Sequence, residues 1–477
     1  MKTAKYIIIG AMMTVISAPA MAQDATSTVA QATEIIKAGA PDAAKQVNAL
    51  FKTVKKDAKA IAGIGRAYLD AKDFENAEKY ADLAIKANKN CAAGYVLKGD
   101  IAVMKDDGGA ASSWFENAIM LDPQDPEGYR RYAQINSKAD PEGSIAKLEQ
   151  LRSIDPNYPV DLIAAEIQSK AGNADAAIEY YKKANLNSFE NWQLTDYSML
   201  LFLKQKYEES LKVSNFGNNK FPRYLSLNRL SLYNNVNLDK NEEAVKYGQR
   251  LFNESDEPKF TALDYINYGT ALQKLKRNDE AIATFNKVID DRSIDMESKV
   301  SVYKNLSDVY KSMSDYPNAL SYYEKYVKGN QGKMTANIKN GLALLYRQMA
   351  LEEGITDEQK AEAVGKADNV FAEIAKEFPA FEQSVTMQRA KLAFVLDPND
   401  KEGKAKPHYD KLIEIINGLE KKDASDLSQL KTAYQYNMVY FIQINQDIPK
   451  AKEYASKILE MEPENAMAKQ VAELNQE

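Results

Sequence analysis

YVLKGDIAVMKDDGGAASSWFENAIMLDP, residues 95–123, decides the fold. Gly99 stands in an apolar run that gives way at Lys105. Ala111 lies in a second run, with Phe115 four positions later and Pro123 at its end. Positions four apart share one face of a helix, so Ala111 and Phe115 face the same way. Small residues such as Gly99 and Ala111 let two helices approach closely, and the aromatic ring fills the space beyond them. Proline cannot continue a helix and marks the exit. Between the runs, Asp106-Asp107-Gly108-Gly109 has the chemistry of a turn. It resembles a fragment of a calcium loop, but the ligand spacing D-x-[DN]-x-[DN]-G with a later Glu is not met. The stretch therefore reads as two helices folded back on each other.

The same pair recurs in both directions. Ala77, Ala111, Ser144, Ala177, Ser210, Ala244, Ala281, Ala319, Ala367, Ala405 and Ala451 hold equivalent positions, at spacings of 34, 33, 33, 33, 34, 37, 38, 48, 38 and 46. Four residues later stand Phe115, Tyr181, Phe285, Tyr323, Phe371 and Tyr409. Roughly twelve residues earlier, one turn plus a helix back, lies a second small residue: Gly65, Gly99, Ala133, Ala165, Ser198, Gly269 or Ser307. Pro123, Pro156, Pro222, Pro379 and Pro463 close several units. The aromatic stripe belongs to a core shared by neighbouring pairs.

Tyr95-x3-Gly99 with Ala111, Phe115, Ala118 and Pro123 resembles the tetratricopeptide repeat. Leu306-Ser307-x2-Tyr310 with Tyr316, Ala319 and Tyr323 resembles it again. The likeness runs from about Lys59 to Gln470. It implies an all-α fold, a right-handed superhelical solenoid of about 11 helix-turn-helix repeats. It also implies that the first helices of successive pairs line a concave groove.

Several features depart from a uniform array. Leu232 replaces the small residue of its first helix. The unit from Asn337 to Pro379 carries extra chain, expected to lengthen its helices through Leu351 to Ala363. Insertions are expected at 397–406 and 421–428. The chain divides into a leader at 1–22, capping helices at 23–58, a regular array at 59–328 and an irregular array at 329–477. Lys2, Lys5, the apolar run Tyr6 to Ile16 and Ala20-Met21-Ala22 form the leader pattern of an exported protein. The run is shorter than the ~20 residues that span a bilayer. Cleavage would leave Gln23 first. With no cysteine beside that site, no lipid anchor is expected, and the mature protein is expected to be soluble, periplasmic or secreted.

Chemistry is sparse. Acids outnumber bases, 68 to 62, so the chain lacks the cationic surplus that displaces counterions from nucleic acid. One histidine, His408, and one cysteine, Cys91, exclude Cys/His metal centres and intramolecular disulfides. His408 lacks a nucleophile motif and reads as a helix-start residue. Cys91 reads as a small apolar residue at a helix start. No phosphate-binding or dinucleotide motif occurs. No cofactor is expected. Acid pairs remain formally available to a hydrolase, but none stands out.

A protein-interaction surface remains. Arg130, Gln134, Arg229, Tyr233, Asn267, Lys304, Asn305, Asp308, Asn340 and Arg347 map onto the groove-facing positions that the resemblance implies. Their amides, guanidinium groups and hydroxyl suit hydrogen bonding to an extended peptide. The carboxylate clamp found in some members of the family is not expected, because only Asn267 matches it; Tyr233, Ser301 and Asn305 stand where other residues are required. The expected function is a non-enzymatic envelope scaffold for a protein or peptide partner. The alternative is a carbohydrate or cell-wall binding component of an uptake or assembly system, with Trp192 as its best stacking platform against a favoured core placement. If the register is right, Phe115→Ala is costly, whereas Arg229→Ala and Asn305→Ala stay within about 0.5 kcal/mol.

Overall fold

A computed structural model describes residues 20–474, with side chains from residue 25. The expected leader thus lies outside the described residues, apart from the backbone of its last three positions. The chain divides into two compact units, one ending at Lys220 and the other beginning at Phe221. This division follows packing, whereas the boundary at 328/329 follows repeat spacing.

In the first unit, α1 (Ala20–Ala38) packs on α2 (Ala43–Val54) and on α3. Five pairs follow. They are α3 and α4 (Ala58–Asp70, Phe74–Ala87), α5 and α6 (Ala92–Met104, Gly108–Leu121), and α7 and α8 (Pro126–Asn136, Pro141–Arg152). Then come α9 and α10 (Val160–Lys170, Ala174–Lys183) and α11 and α12 (Asn191–Leu203, Tyr207–Lys220). The second unit holds six pairs. They begin with α13 and α14 (Leu225–Asn237, Asn241–Glu254), α15 and α16 (Ala262–Lys274, Asn278–Asp290), and α17 and α18 (Met296–Ser312, Tyr316–Gly329). They end with α19 and α20 (Ala336–Met349, Asp357–Glu377), α21 and α22 (Glu382–Leu396, Lys406–Asn417), and α23 and α24 (Ala424–Gln443, Ile448–Met461). A last helix, α25 (Ala466–Ala472), packs on α24. Among the described residues there is no strand. Each unit is a helical solenoid of stacked pairs.

The small residues that set the period are the contact points. All eleven, from Ala77 to Ala451, are 0% exposed. The six aromatics four positions on are buried with them. A Cβ at Gly99 would stand 2.3 Å from the Phe115 ring, and one at Gly269 would stand 2.5 Å from Phe285. Glycine is required there because the ring lies against the opposite backbone. Where serine replaces glycine, its hydroxyl is satisfied across the pair. Ser198 Oγ lies 2.9 Å from Ser210 Oγ, and Ser307 Oγ donates to the Ala319 carbonyl at 2.7 Å. At Leu232 the sizes are reversed: the leucine is fully buried, and the position four after Ala244 is Gly248, against which the Tyr268 ring packs.

Tight turns join the two helices of most pairs. Lys72, Asp106, Gly172, Gln205, Asp239, Lys276, Ser314 and Gln446 each adopt positive φ just before the second helix. Asp73, Asp107, Asp315 and Asp447 then accept hydrogen bonds from the first-turn amides of that helix. Such caps satisfy amides that the helix itself leaves unbonded.

The second unit corrects two details. Residues 350–356 form a turn rather than helix, and the added helix begins at Asp357 in the 21-residue α20. Of the insertion expected at 421–428, only 421–423 is loop, because Asp423 caps α23. The insertion after Leu396 is a loop as expected.

Candidate interaction face

Successive first helices are tied to one another by side-chain bonds. Asp100 on α5 takes the Arg66 guanidinium of α3 and lies 3.7 Å from Arg131 of α7. Gln193 on α11 donates to Glu166 on α9 at 2.5 Å, and Gln383 on α21 donates to Asp426 on α23 at 2.7 Å. The most elaborate tie joins α13 to α15. Arg229 Nε and Nη2 donate to the two oxygens of Asp264 at 2.7 and 2.8 Å, and Nη2 also donates to the Lys259 carbonyl. The Tyr233 hydroxyl donates to Asp264 Oδ1 at 2.8 Å. Thr261 donates to Asp264 through its amide and its hydroxyl, which starts α15. Asp264 is 0% exposed, so this ion pair is structural.

That geometry corrects the open-face expectation for Arg229 and Tyr233. The register places them on first helices, but their length lets them reach the next first helix, where Tyr233 is buried and Arg229 is largely enclosed. The other candidates divide by what already holds them. Arg130 pairs with Glu127 and Asp155 and lies 4.6 Å over the Tyr158 ring. Lys304 and Asp308 pair with each other, and Asn267 donates to the Leu263 carbonyl of its own helix. Gln134 is exposed. Asn340 and Arg347 are half-buried, and Arg347 Nε is enclosed without a hydrogen-bond partner. Asn305 and Lys304 line a pocket of about 580 Å³ with Ser301, Tyr326 and Asn330, where α17 meets the end of α18.

Two further concave sites lie among the described residues, one of them beside Trp192. Between α21 and α23 lies a cleft of about 510 Å³ lined by Gln383, Ser384, Gln388, Ser428, Gln429 and Thr432, with Lys391 and Tyr409. Gln429 Oε1 is enclosed there without a hydrogen-bond partner. The signal was present as polar residues at helical spacing on two first helices, but the uneven spacing after Ala319 obscured their register. Between α9 and α11 lies a pocket of about 380 Å³ bounded by Trp192. Trp192 is 45% exposed, which corrects its core placement. Gln193 and Leu194 face inward, so their neighbour Trp192 is turned outward at the start of α11.

The two singular residues have structural settings. Cys91 is buried at the start of α5, and burial raises its thiol pKa, which disfavours the reactive thiolate. His408 is the third residue of α22, and burial chiefly, then the Arg389 guanidinium, lowers its pKa. Among the described residues no three His, Cys, Asp or Glu side chains are grouped to hold a metal, and no helix is long and apolar enough to cross a membrane.

Tetratricopeptide-repeat family models match residues 40–126 and 265–290. No curated protein sequence matches. Among solved structures, the chain is similar to the C-terminal part of a TPR repeat-containing protein from Cytophaga hutchinsonii. That match has 23% identity and a TM-score of 0.47, covering 59% of this chain and 100% of the other. It is also similar to a tetratricopeptide repeat protein from Parabacteroides merdae, at 17% identity and a TM-score of 0.32, covering 48% of this chain and 91% of the other. The matched segments coincide with helix pairs whose small residues are buried at the predicted contacts, and over them the chain is similar to the tetratricopeptide repeat.

Proposed function

We propose that this protein is an exported, non-enzymatic scaffold of the bacterial cell envelope that binds a polypeptide segment along its first helices. The repeat family supports a protein-interaction role. The α21–α23 cleft carries the finer reading. Its amides and hydroxyls offer donors and acceptors in a row, as the backbone of an extended segment requires. The enclosed Gln429 carbonyl lacks the donor that such a backbone supplies. Export rests on Lys2, Lys5, the apolar run and Ala20-Met21-Ala22.

Calorimetric titration with a panel of mixed-sequence peptides tests binding. Gln388→Ala with Thr432→Ala is expected to abolish the heat of binding without lowering the melting temperature. A panel that never binds, beside oligosaccharides that do, would favour the carbohydrate alternative, for which the exposure of Trp192 speaks. Intact mass of the exported protein is expected to begin at Gln23; retention of Met1 would overturn the export reading.

A further inference from the structure

Glu190 and Gln193 position Glu166, which lines the α9–α11 pocket. The Glu190 amide donates to Gln193 Oε1 at 2.7 Å, and Gln193 Nε2 donates onward to Glu166 at 2.5 Å. Gln193 is thereby satisfied on both sides, and the Glu166 carboxylate is held against α11. On the same lining, Asp196 is held by the Tyr181 hydroxyl at 2.7 Å. The Tyr181 ring stacks on Tyr197 and packs against Phe189, so this support is rigid. The two carboxylates share the pocket with a single ammonium, Lys170, and with the indole of Trp192 and the thioether of Met199. The pocket is therefore anionic by one charge, and its aromatic wall is open.

We propose that this pocket takes the guanidinium of an arginine side chain, its plane laid on the Trp192 indole and its charge met by Glu166 and Asp196. The proposal rests on the peptide-binding reading and names one side chain of the bound segment. A guanidinium is planar, weakly hydrated and permanently charged, so it satisfies an indole face and a carboxylate together. A neutral sugar would use the indole but leave the surplus carboxylate uncompensated. Burial chiefly, and Asp196 to a lesser degree, raise the Glu166 pKa against the opposing pull of the Gln193 amide and Lys170.

Trp192 itself reports on the site. The chain has two tryptophans, and Trp114→Phe leaves Trp192 as the one indole. In that background, Ac-Gly-Arg-Gly-NH2 is expected to change the Trp192 emission saturably. The citrulline analogue keeps the shape, loses the charge and is expected to bind at least about tenfold more weakly. Glu166→Gln is expected to weaken the arginine peptide to a similar degree. Lys170→Gln is expected to tighten it, because it removes the competing cation. Unchanged melting curves are expected for both variants.

Equal binding of the arginine and citrulline peptides, or an unchanged affinity in Glu166→Gln, overturns the proposal. If the mixed peptide panel binds but arginine-containing members have no advantage and Trp192→Ala is silent, the pocket assignment fails and peptide binding stands. If an oligosaccharide alone perturbs Trp192 and no peptide binds anywhere, both fail.

Discussion

At the scale of the residue, the decisive contrast lies between Phe115 and Arg229. The first was read as core and is core, because an aromatic four positions from a small residue has only the partner helix to meet. The second was read as open surface. Its Cα does belong to a first helix, but six bonds of side chain carry the charge to Asp264 on the next one, and no positional rule records that reach. The prediction for Arg229→Ala is accordingly reversed. Removing the guanidinium leaves the fully buried Asp264 charge unmatched, and a loss of about 3–5 kcal/mol is expected in urea unfolding. Tyr233→Phe removes one neutral donor from the same carboxylate and should cost about 1–2 kcal/mol. A loss below about 0.5 kcal/mol for Arg229→Ala, the value of an ordinary surface change, would restore the open-face reading. His408 makes a second prediction. Burial and Arg389 hold it below its ordinary 6.5, against the opposing pull of Asp368, so the folded state favours the neutral ring. Its contribution is complete above pH 6.5 and is lost as pH falls through the lowered folded value. His408→Gln should flatten the urea midpoint over that interval, and a profile parallel to the unaltered chain would refute the assignment.

At the scale of the element, the helix pair was legible because its constraints are local in sequence. Twelve or so residues separate the two small contacts, and one turn closes them. The turn itself shows which details composition hides. Eight pair turns use a positive φ, yet only Gly172 among them is glycine. Lysine, aspartate, glutamine and serine fill the other seven, so a search for glycine would miss most of them. Each non-glycine there bears a steric cost of ~1–2 kcal/mol, offset by the ~0.5–1 kcal/mol that glycine loses through unfolded-state freedom. Gly172→Ala should therefore destabilise by about 1 kcal/mol, although an added Cβ meets nothing within 4 Å. Asp106→Gly should be neutral or stabilising by up to about 1 kcal/mol if the loss of its side chain costs nothing further. Urea midpoints of the two variants decide the matter, and a shift in the same direction for both would show that backbone strain is not the controlling quantity. The longer insertions were harder to place. Residues 350–356 include Gly354 at φ +84°, which ends helical geometry there, and the capping box of Thr356 with Gln359 sets where the next helix begins.

At the scale of the whole molecule, the regular spacing from Ala77 to Ser210 let the first unit be read pair by pair, while the uneven spacings after Ala319 hid the α21–α23 cleft. Function was legible only as a class, because a repeat fixes which helices line a face and leaves the side chains on it unconstrained by packing. The same architecture limits how far damage spreads. Phe115 is 1% exposed and fills the space between α5 and α6, in a cluster that runs from Ala92 through Tyr129 to Val160. Phe115→Ala leaves a cavity there and should cost about 3–5 kcal/mol. A globular domain would spread that loss over one core. Here each pair packs mainly on its neighbours, so the loss falls first on α5 to α9 and reaches other pairs only through interfaces that remain intact. Hydrogen exchange read by mass spectrometry should show protection falling most in 92–170, while peptides around the separate cluster of Tyr409, Leu412 and Tyr434 keep theirs. Heating should turn a single transition into two, the earlier one belonging to the altered pairs. Uniform loss of protection from 58 to 461 would mean that the pairs unfold as one body, and the nearest-neighbour account of this solenoid would fall with it.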